Sequence, residues 1–333
     1  MVPRVFVTFP LPAAAATALR RVARVRIYRG RQPIPRHALL AGVRDADGLL
    51  CLLNDRIDSA LLSHAPKLRA VANYAVGYNN IDLAAAAVRR VVVTNTPDIL
   101  TETSADLAFA LILAAARRVI EGDRLVRSGR WRGWAPDQLL GHDVHGATLG
   151  IVGLGRIGGA VARRARGFGM RILYWNRRRL RRAPAGARYA SLPRLLATAD
   201  IVSIHVPLAP ATRHLIGAPE LARMKRTAIL VNTSRGPVID EPALIRALAR
   251  RRIAAAGLDV FEHEPRVSAA LRTLPNVVLT PHVGSATTAT RTAMAMLAVQ
   301  NLTAALAGRE PPNRVRPTVE KPGSRPRDRR ARV

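Results

Sequence analysis

Three short segments of the chain contain polar side chains of the types needed for acid–base chemistry on a carbonyl compound. These segments are 232–236, 257–265 and 281–285. They contain the guanidinium of Arg235, the carboxylate of Glu264 and the imidazole of His282. An apolar run precedes each segment, so each polar group is expected where a strand ends.

Reduction of a 2-keto acid makes four demands on a site. A hydride donor must lie over the carbonyl carbon, and an acid must deliver a proton to the carbonyl oxygen. A cation must bind the substrate carboxylate, and a second carboxylate must keep the acid protonated near neutral pH. We assign the acid to His282, the cation to Arg235 and the carboxylate to Glu264. A reduced nicotinamide would supply the hydride.

A glycine-rich stretch provides a candidate site for such a cofactor. Gly153, Gly155 and Gly158 form a G-x-G-x-x-G pattern, with an apolar run at 149–152 before it and a helical stretch at 157–168 after it. In this order of strand, loop and helix, the helix N-terminus offers free N–H groups and partial positive charge to a pyrophosphate. We therefore predict a Rossmann domain whose three glycines contact the cofactor.

The residues that follow the second strand of this domain bear on the choice of cofactor. An NAD enzyme is expected to place a carboxylate for the ribose hydroxyls about 20 residues after the glycine loop. This chain has Asn176, Arg177 and Arg178 there instead. Arginine can pair with a 2′-phosphate through its planar fork of donors, so NADP(H) is predicted as the preferred cofactor, with NAD(H) left open. The alternative is that these arginines are solvated members of an arginine-rich chain.

The elements that must position these residues alternate between short β-branched runs and helical stretches rich in Ala and Leu. The predicted strands are 4–8, 24–28, 48–52, 68–72, 91–94, 148–152, 171–175, 200–205, 228–232, 254–258 and 276–279. Long helical patterns cover 104–128 and 286–307. Such alternation is typical of βαβ units. The predicted fold is α/β, with two doubly wound parallel-sheet domains and ligands bound in a cleft at the carboxyl ends of the strands.

The charge of the chain suggests nucleic acid at first sight. The formal net charge is +31, but only three of the 53 basic residues are lysines, and aromatic residues make up 4%. The arginines are spread along the chain, whereas a nucleic-acid footprint is expected to be clustered. We therefore interpret the charge as compositional bias and regard a nucleic-acid partner as disfavoured. The densest basic cluster, 314–333, is predicted to be a disordered tail.

Several classes of protein and site are disfavoured by composition. Cys51 is the only cysteine, so no disulfide forms within the chain, and a reducing, cytoplasmic compartment is expected. The histidines and this cysteine lack the spacing of metal ligands. No apolar run is long enough to span a membrane. The Arg- and Ala-rich N-terminus has the composition of a targeting segment, but its strand and helix patterns favour folded protein.

In combination, the ordered motifs resemble those of the D-2-hydroxyacid dehydrogenases, and most closely the glyoxylate and hydroxypyruvate reductase branch. The motifs are Gly-x-Gly-x-x-Gly at 153–158, Asn-Thr-Ser-Arg-Gly at 232–236, Asp-Val-Phe-x-x-Glu-Pro at 259–265 and Pro-His-x-Gly at 281–284. Segments 73–82 and 100–106 are similar to the branch's substrate loop and to the start of its interdomain helix. The resemblance covers roughly residues 3–315.

The resemblance implies roles for residues at matching positions. Arg235 would bind substrate, His282 would be the acid/base and Glu264 its partner, while the backbone of Val76 and Gly77 would bind the substrate carboxylate. Further residues expected to line the cofactor are Thr101, Arg156, Ile157, Val206, Pro207, Thr212, Thr233, Asp259 and Gly284. Asp259 would meet the nicotinamide amide, although it could also simply cap a strand end.

The resemblance also implies a domain organisation and a homodimer. The flavodoxin-like substrate domain would be discontinuous, with residues 1–98 as its first part and a returning helix at 286–315. Residues 99–285 would form the Rossmann domain, and 316–333 the basic tail. Trp134 matches a tryptophan that reaches into the partner's substrate pocket in some relatives, with plain interface packing as the alternative. His205, His142 and His145 are interpreted as structural or peripheral.

The expected function is NADP(H)-dependent reduction of a small 2-keto acid, glyoxylate or hydroxypyruvate, to the D-2-hydroxy acid. Two alternatives stay open at this point. A dinucleotide-sensing regulator or corepressor on the same fold would need the glycine loop but no turnover, and would suit the basic charge. A related dehydrogenase could act on 2-ketogluconate or phosphite instead.

Overall fold

A computed structural model describes residues 2–316 of the chain and divides them into two compact units. The first unit contains residues up to Thr96 together with those from Ala295 onward, and the second unit is Pro97–Met294. The tail predicted at 316–333 lies outside the described residues, except for Arg316.

The first unit has a six-stranded sheet with the order β13-β5-β4-β3-β1-β2. Its strands are β1 (Arg4–Val7), β2 (Arg24–Ile27), β3 (Gly48–Cys51), β4 (Ala70–Asn73), β5 (Val92–Thr94) and β13 (Arg314–Val315). Its helices are α1 (Ala13–Arg20), α2 (Arg36–Val43), α3 (Ser59–His64) and α4 (Leu83–Val88), and α12 (Thr288–Leu306) ends in it. Five strands are parallel, and their order 2-1-3-4-5 is that of a flavodoxin-like, doubly wound sheet. The edge strand β13 pairs antiparallel with β5.

The second unit has a seven-stranded parallel sheet with the order β12-β11-β10-β9-β6-β7-β8. Its strands are β6 (Thr148–Val152), β7 (Arg171–Trp175), β8 (Arg188–Tyr189), β9 (Ile201–Ile204), β10 (Ile229–Asn232), β11 (Ala255–Leu258) and β12 (Val277–Leu279). Its helices are α5 (Thr101–Ala116), α6 (Val119–Arg127), α7 (Arg156–Gly167), α8 (Leu192–Thr198), α9 (Ala218–Arg223), α10 (Glu241–Ala249) and α11 (Ala269–Thr273). One apolar cluster packs on each face of this sheet. The chain reverses direction across the sheet between β6 and β9, which makes their ends the expected ligand site of a Rossmann fold.

The predicted fold class is confirmed, but one predicted helix is wrong. The pattern at 104–128 forms two helices that are separated at Arg118, whose φ is +54°. The carbonyl of Ala116 accepts a hydrogen bond from the His142 N–H at 2.9 Å, so it is not free to continue the helix. The Arg118 side chain binds Glu121 at 2.7 Å and so stabilises the first turn of α6. A distant segment thus ends α5 at a point where local propensity would extend it.

The predicted strands agree with the structure to within one or two residues at each end. Those at 148–152 and 171–175 have the same limits as β6 and β7. The short strands β8 and β13 were missed, because two-residue edge strands have no pattern of their own. In the part of the chain that the structure describes, no helix is long and apolar enough to cross a membrane.

Candidate active site

The candidate residues of the second unit all follow the carboxyl ends of its parallel strands. Gly153 follows β6, Asn176 follows β7, Arg235 lies just after β10, and His282 lies just after β12. Because parallel strands end at the same edge of a sheet, the topology alone brings these segments to one rim.

Glu264 and His282 form a hydrogen-bonded pair at this rim. Glu264 Oε2 lies 2.9 Å from His282 Nδ1, and Oε1 accepts the Phe261 N–H at 2.9 Å. Burial raises the pKa of the Glu264 carboxyl, but the hydrogen bond and charge of His282, the Phe261 N–H and the charge of Arg235 together bring the pKa below its usual value. Glu264 is therefore ionised at neutral pH, and it orients the imidazole through Nδ1. His282 Nε2 has no partner among residues 2–316.

Asp259 organises the backbone that carries His282. This buried carboxylate accepts hydrogen bonds from the Val283 N–H at 2.8 Å, the Gly284 N–H at 2.9 Å and the Thr280 hydroxyl at 2.7 Å. Its own carbonyl accepts the His282 N–H at 2.9 Å. Burial raises the pKa of Asp259, and these bonds oppose the rise. His282 is held at a φ of +54°, in the left-handed region, where these surrounding bonds fix its conformation. A contact between Asp259 and the nicotinamide stays a prediction.

Arg235 is brought next to the Glu264 segment by the close approach of two backbones. A Cβ on Gly236 would lie 1.9 Å from the carbonyl carbon of Phe261, so only glycine fits there. Asn232 fixes the turn, because its Nδ2 donates to the Arg235 carbonyl at 3.0 Å and its Oδ1 accepts the Ser234 N–H at 3.0 Å. Burial lowers the pKa of Arg235, while the negative charge of Glu264 raises it. Arg235 stays a cation at neutral pH because an arginine is protonated far above it.

The glycine loop has the shape that a pyrophosphate requires. Gly153 has a φ of +102°, and a Cβ there would lie 2.8 Å from the Val206 nitrogen. A Cβ on Gly155 would meet no atom within 4 Å, so the space beside this glycine is open. The twelve-residue helix α7 begins directly after it and presents its N-terminal N–H groups.

Thr233 gives an independent indication that the rim accepts a polar ligand. Its hydroxyl oxygen is buried and has no hydrogen-bond partner among the described residues. Buried hydroxyl groups are normally hydrogen-bonded, so the Thr233 hydroxyl is available to bind a polar group of a ligand. Together with the open cradle at Gly155, this oxygen fits a dinucleotide cofactor.

Asn176 is engaged by the glycine loop. Its Oδ1 accepts the Leu154 N–H at 2.7 Å, and its Nδ2 lies 3.5 Å from the Leu154 carbonyl. Arg177 and Arg178 are exposed beside it. The Asn176 side chain thus fixes the loop, while the two guanidinium groups remain accessible to a ligand.

The remaining cofactor candidates lie in the first turns of α5 and α7 or in the segments that follow β9 and β12. Arg156 forms an ion pair with Asp98, and Ile157 is half-buried in the first turn of α7. Val206 is buried, and the Pro207 carbonyl accepts a hydrogen bond from the Thr212 hydroxyl at 2.7 Å. Thr101 is the first residue of α5, and Gly284 lies buried against Asp259.

The loop Tyr74–Asn80 of the first unit, which is predicted to bind substrate and is called the substrate loop below, follows β4. Val76 and Gly77 in this loop are half-buried. The Val76 carbonyl accepts a hydrogen bond from Asn95 Nδ2 and the Gly77 carbonyl accepts one from Asn73 Nδ2, both at 2.8 Å. The loop is therefore held in one conformation by two asparagines.

Comparison with known proteins decides the family. The family model for the D-isomer specific 2-hydroxyacid dehydrogenase, NAD binding domain, matches residues 109–284. A glyoxylate reductase from Korarchaeum cryptofilum is 52% identical over 325 residues, which cover 96% of this chain and 98% of that protein. The chain belongs to the D-isomer-specific 2-hydroxyacid dehydrogenase family.

Solved structures agree with this assignment. The TT0316 protein from Thermus thermophilus is 48% identical with a TM-score of 0.89, and the match covers 94% of this chain and 99% of that one. An NADPH-dependent glyoxylate/hydroxypyruvate reductase from Sinorhizobium meliloti, in complex with NADP and malonate, is 36% identical with a TM-score of 0.84, over 95% and 97% of the two chains. This dehydrogenase is therefore an oxidoreductase that uses a nicotinamide dinucleotide.

Trp134 and three further histidines of the dehydrogenase take no part in the acid–base pair, although the His205 backbone lies beside Gly153 of the glycine loop. Trp134 is 84% exposed in the single chain. His142 and His145 are also exposed, whereas His205 is largely buried and lies 2.8 Å from the Ser203 hydroxyl. Burial lowers the pKa of His205 to about 4, so it is neutral at physiological pH, which fits a structural role.

Sequence analysis missed the residues that position the site of the dehydrogenase. Asn232 begins the Asn-Thr-Ser-Arg-Gly motif, and Thr280 directly precedes the Pro-His-x-Gly motif. A polar residue at a strand end was the sequence feature that could have indicated their positioning roles. Asn73 and Asn95 carry the same signal at the ends of β4 and β5. Their partners are loop carbonyls, which the sequence does not specify.

Proposed function

We propose that this dehydrogenase reduces a small 2-keto acid, glyoxylate or hydroxypyruvate, to the corresponding D-2-hydroxy acid, with NADP(H) as its preferred cofactor. The observation that carries the proposal is the Glu264–His282 hydrogen bond beside Arg235, with His282 Nε2 left free of partners among the described residues. The glyoxylate reductases with about half of their residues identical to this chain support the substrate class.

His282 is the proton donor in this proposal. In the imidazolium form both ring nitrogens carry protons, and Glu264 binds the proton on Nδ1. The proton on Nε2 can then pass to the carbonyl oxygen of the substrate. The negative charge of Glu264 stabilises the imidazolium before transfer, and the Phe261 N–H holds the carboxylate in place at 2.9 Å.

Arg235 binds the substrate in this proposal. Its planar guanidinium matches a carboxylate and can also polarise the neighbouring carbonyl oxygen. Partial desolvation strengthens both interactions, because charges attract more strongly where water is excluded. The backbone of the loop at Val76 and Gly77 is also proposed to bind the substrate carboxylate.

The cofactor residues proposed are the glycine loop, Thr233 and the Asn176–Arg178 segment. When bound, the reduced nicotinamide supplies the hydride to the carbonyl carbon. The exposed guanidinium groups of Arg177 and Arg178 would pair with a 2′-phosphate, and Asn176 provides no negative charge to repel it.

We also propose that the dehydrogenase works as a homodimer. Helix α6 has no buried residues, and the apolar side chains of Val126, Trp131, Trp134 and Leu140 are exposed in the single chain at 59%, 51%, 84% and 68%. Exposed apolar groups that lie along one stretch of chain are typical of a covered interface. Sedimentation of the purified protein would test this.

A substrate panel tests the proposed activity. Initial rates would be measured with NADPH and with NADH against glyoxylate, hydroxypyruvate, pyruvate and 2-ketogluconate. The proposal expects the highest catalytic efficiency with glyoxylate or hydroxypyruvate and NADPH. Turnover of none of the four acids, with either cofactor, would contradict it and would favour a dinucleotide sensor.

A further inference from the structure

Two successive carbonyl groups of the substrate loop point toward the interior of the first unit. Asn95 Nδ2 donates to the Val76 carbonyl and Asn73 Nδ2 to the Gly77 carbonyl, each at 2.8 Å. Asn73 is the last residue of β4 and is fully buried, so its side chain is fixed by the sheet. These two hydrogen bonds therefore fix the orientation of two adjacent peptide groups.

The orientation of these two peptide planes determines where their N–H groups point. In a planar trans peptide, the carbonyl and the N–H point in opposite directions. The Val76 carbonyl shares its peptide with the Gly77 N–H, and the Gly77 carbonyl shares its peptide with the Tyr78 N–H. Both N–H groups therefore point away from the asparagines. Neither has an acceptor among residues 2–316, and adjacent free N–H groups form a donor site that suits an anion.

The orientation of the Asn73 amide is itself determined by its surroundings. Its Oδ1 accepts from the Cys51 thiol at 3.6 Å and lies 3.3 Å from Asn80 Nδ2, and its Nδ2 lies 3.4 Å from Asn80 Oδ1. Burial raises the pKa of the Cys51 thiol, which keeps it protonated as a donor. With donors on one side of the amide and acceptors on the other, the nitrogen must face Gly77.

Asn80 anchors this arrangement to the neighbouring loop. Its Nδ2 donates to the Leu52 carbonyl at 3.1 Å and to the Asp55 carbonyl at 3.0 Å. The Asp55 carboxylate is buried, and it accepts the Leu52 N–H at 2.8 Å. A network of buried amides thus connects the loop after β3 to the two peptides of the substrate loop, and such networks fix one conformation when every member is satisfied.

We propose that Asn73, supported by Asn80, is a positioning residue that aims the Gly77 and Tyr78 N–H groups at the carboxylate of the substrate. The inference rests on the proposed function, because it names the group that prepares its carboxylate site. Asn73 acts through the backbone and does not itself touch the substrate. Its loss should weaken ligands that carry a carboxylate and leave the binding of the dinucleotide unchanged.

Asn73→Asp tests this with almost no change in shape. The second carboxylate oxygen would stand where Nδ2 now donates to the Gly77 carbonyl, and it would repel that carbonyl. We expect KM for glyoxylate and the inhibition constant of oxalate to rise together by about tenfold. KM for the reduced dinucleotide should stay within about twofold of the wild-type value. Asn80→Ala should shift the same two constants in the same direction by a smaller factor.

Asn276→Ala is the matched control. Asn276 is also a buried asparagine whose Nδ2 donates to a carbonyl, that of Ala254 at 2.9 Å, but it lies in the second unit, away from the candidate site. Equal effects of Asn73→Asp and Asn276→Ala on the oxalate constant would overturn the proposal, as would an unchanged oxalate constant in Asn73→Asp. If Asn73→Asp does not fold, Asn80→Ala decides by the same criterion. Failure of wild-type enzyme to reduce glyoxylate would instead reject the proposed function.

Discussion

Glu264 Oε2 and His282 Nδ1 lie 2.9 Å apart, although 18 residues separate the two along the chain. The pair is assembled from segments that follow the neighbouring strands β11 and β12. Asp259, the first residue after β11, holds both the His282 N–H and the loop beyond it. The acid–base pair is thus a consequence of the parallel sheet and of one buried carboxylate.

The first prediction concerns the charge of Glu264. Glu264→Gln keeps the shape of the side chain but removes the negative charge that stabilises the imidazolium of His282. Because a neutral amide attracts the proton-donating form of His282 less strongly than a carboxylate does, we expect kcat/KM for reduction near neutral pH to fall by about tenfold or more. The measurement is the pH profile of kcat/KM for glyoxylate reduction. Glu310→Gln, at an exposed site in the first unit, is the control, and identical profiles for all three proteins would reject the pairing as functional.

The second prediction concerns cofactor choice. We expect the wild-type protein to favour NADPH over NADH by about 10- to 100-fold in kcat/KM. The preference is limited because each charge-assisted hydrogen bond from Arg177 or Arg178 to a partly solvated 2′-phosphate contributes only modestly to the binding free energy. Asn176→Asp combined with Arg177→Ser should reverse this preference. The introduced carboxylate could still accept the Leu154 N–H that Asn176 accepts at 2.7 Å, so the glycine loop should keep its anchor.

Arg223→Ser serves as the control for cofactor choice, because Arg223 is an exposed arginine at the end of α9. It should leave the ratio of efficiencies unchanged. A wild-type protein that favours NADH would mean that Arg177 and Arg178 are solvated and take no part in binding.

The third prediction concerns His205 and acid stability. Burial lowers the pKa of His205 to about 4 in the folded protein, against about 6.5 in the unfolded chain. Between these two values the unfolded chain binds a proton that the folded protein does not, so the free energy of unfolding falls as the pH is lowered from about 6.5 to about 4. The slope from this group is about 1 kcal/mol per pH unit.

His205→Gln should remove that slope, which denaturant unfolding at several pH values would measure. His142→Gln, at an exposed histidine, should leave it in place. If the variant and the wild type lost stability in parallel across this window, His205 would not be neutral in the folded state as the structure implies.

Much of the fold follows from local patterns in the sequence. The strands at 148–152 and 171–175 were predicted with their observed limits, because each is an apolar run next to a glycine-rich or polar turn. The break at Arg118 was not predictable, since it depends on the His142 N–H reaching the Ala116 carbonyl. Helical propensity is a local property and does not reflect a contact between residues 26 positions apart in the chain.

In the candidate site, the sequence likewise revealed which residue types are present but not all of the contacts that position them. The types needed for chemistry were visible at Arg235, Glu264 and His282, because charged groups at strand ends are conspicuous. The positioning roles of Asn232 and Thr280 were not visible, because they depend on contacts that the sequence does not specify. Asn176 is an example: its type suggested a missing negative charge, but its bond to the Leu154 N–H became visible only in the structure.

The most direct test of the account is the single-turnover rate of NADPH oxidation by glyoxylate in His282→Gln. Glutamine keeps much of the size and polarity of the imidazole but cannot deliver a proton from an ionised form. His263→Gln, in the exposed segment next to Glu264, is the control. We predict a rate at least about 100-fold below wild type for His282→Gln, the usual scale for a lost general acid, and a rate near wild type for His263→Gln. A wild-type rate in His282→Gln would contradict the account, because the proton would then come from another group.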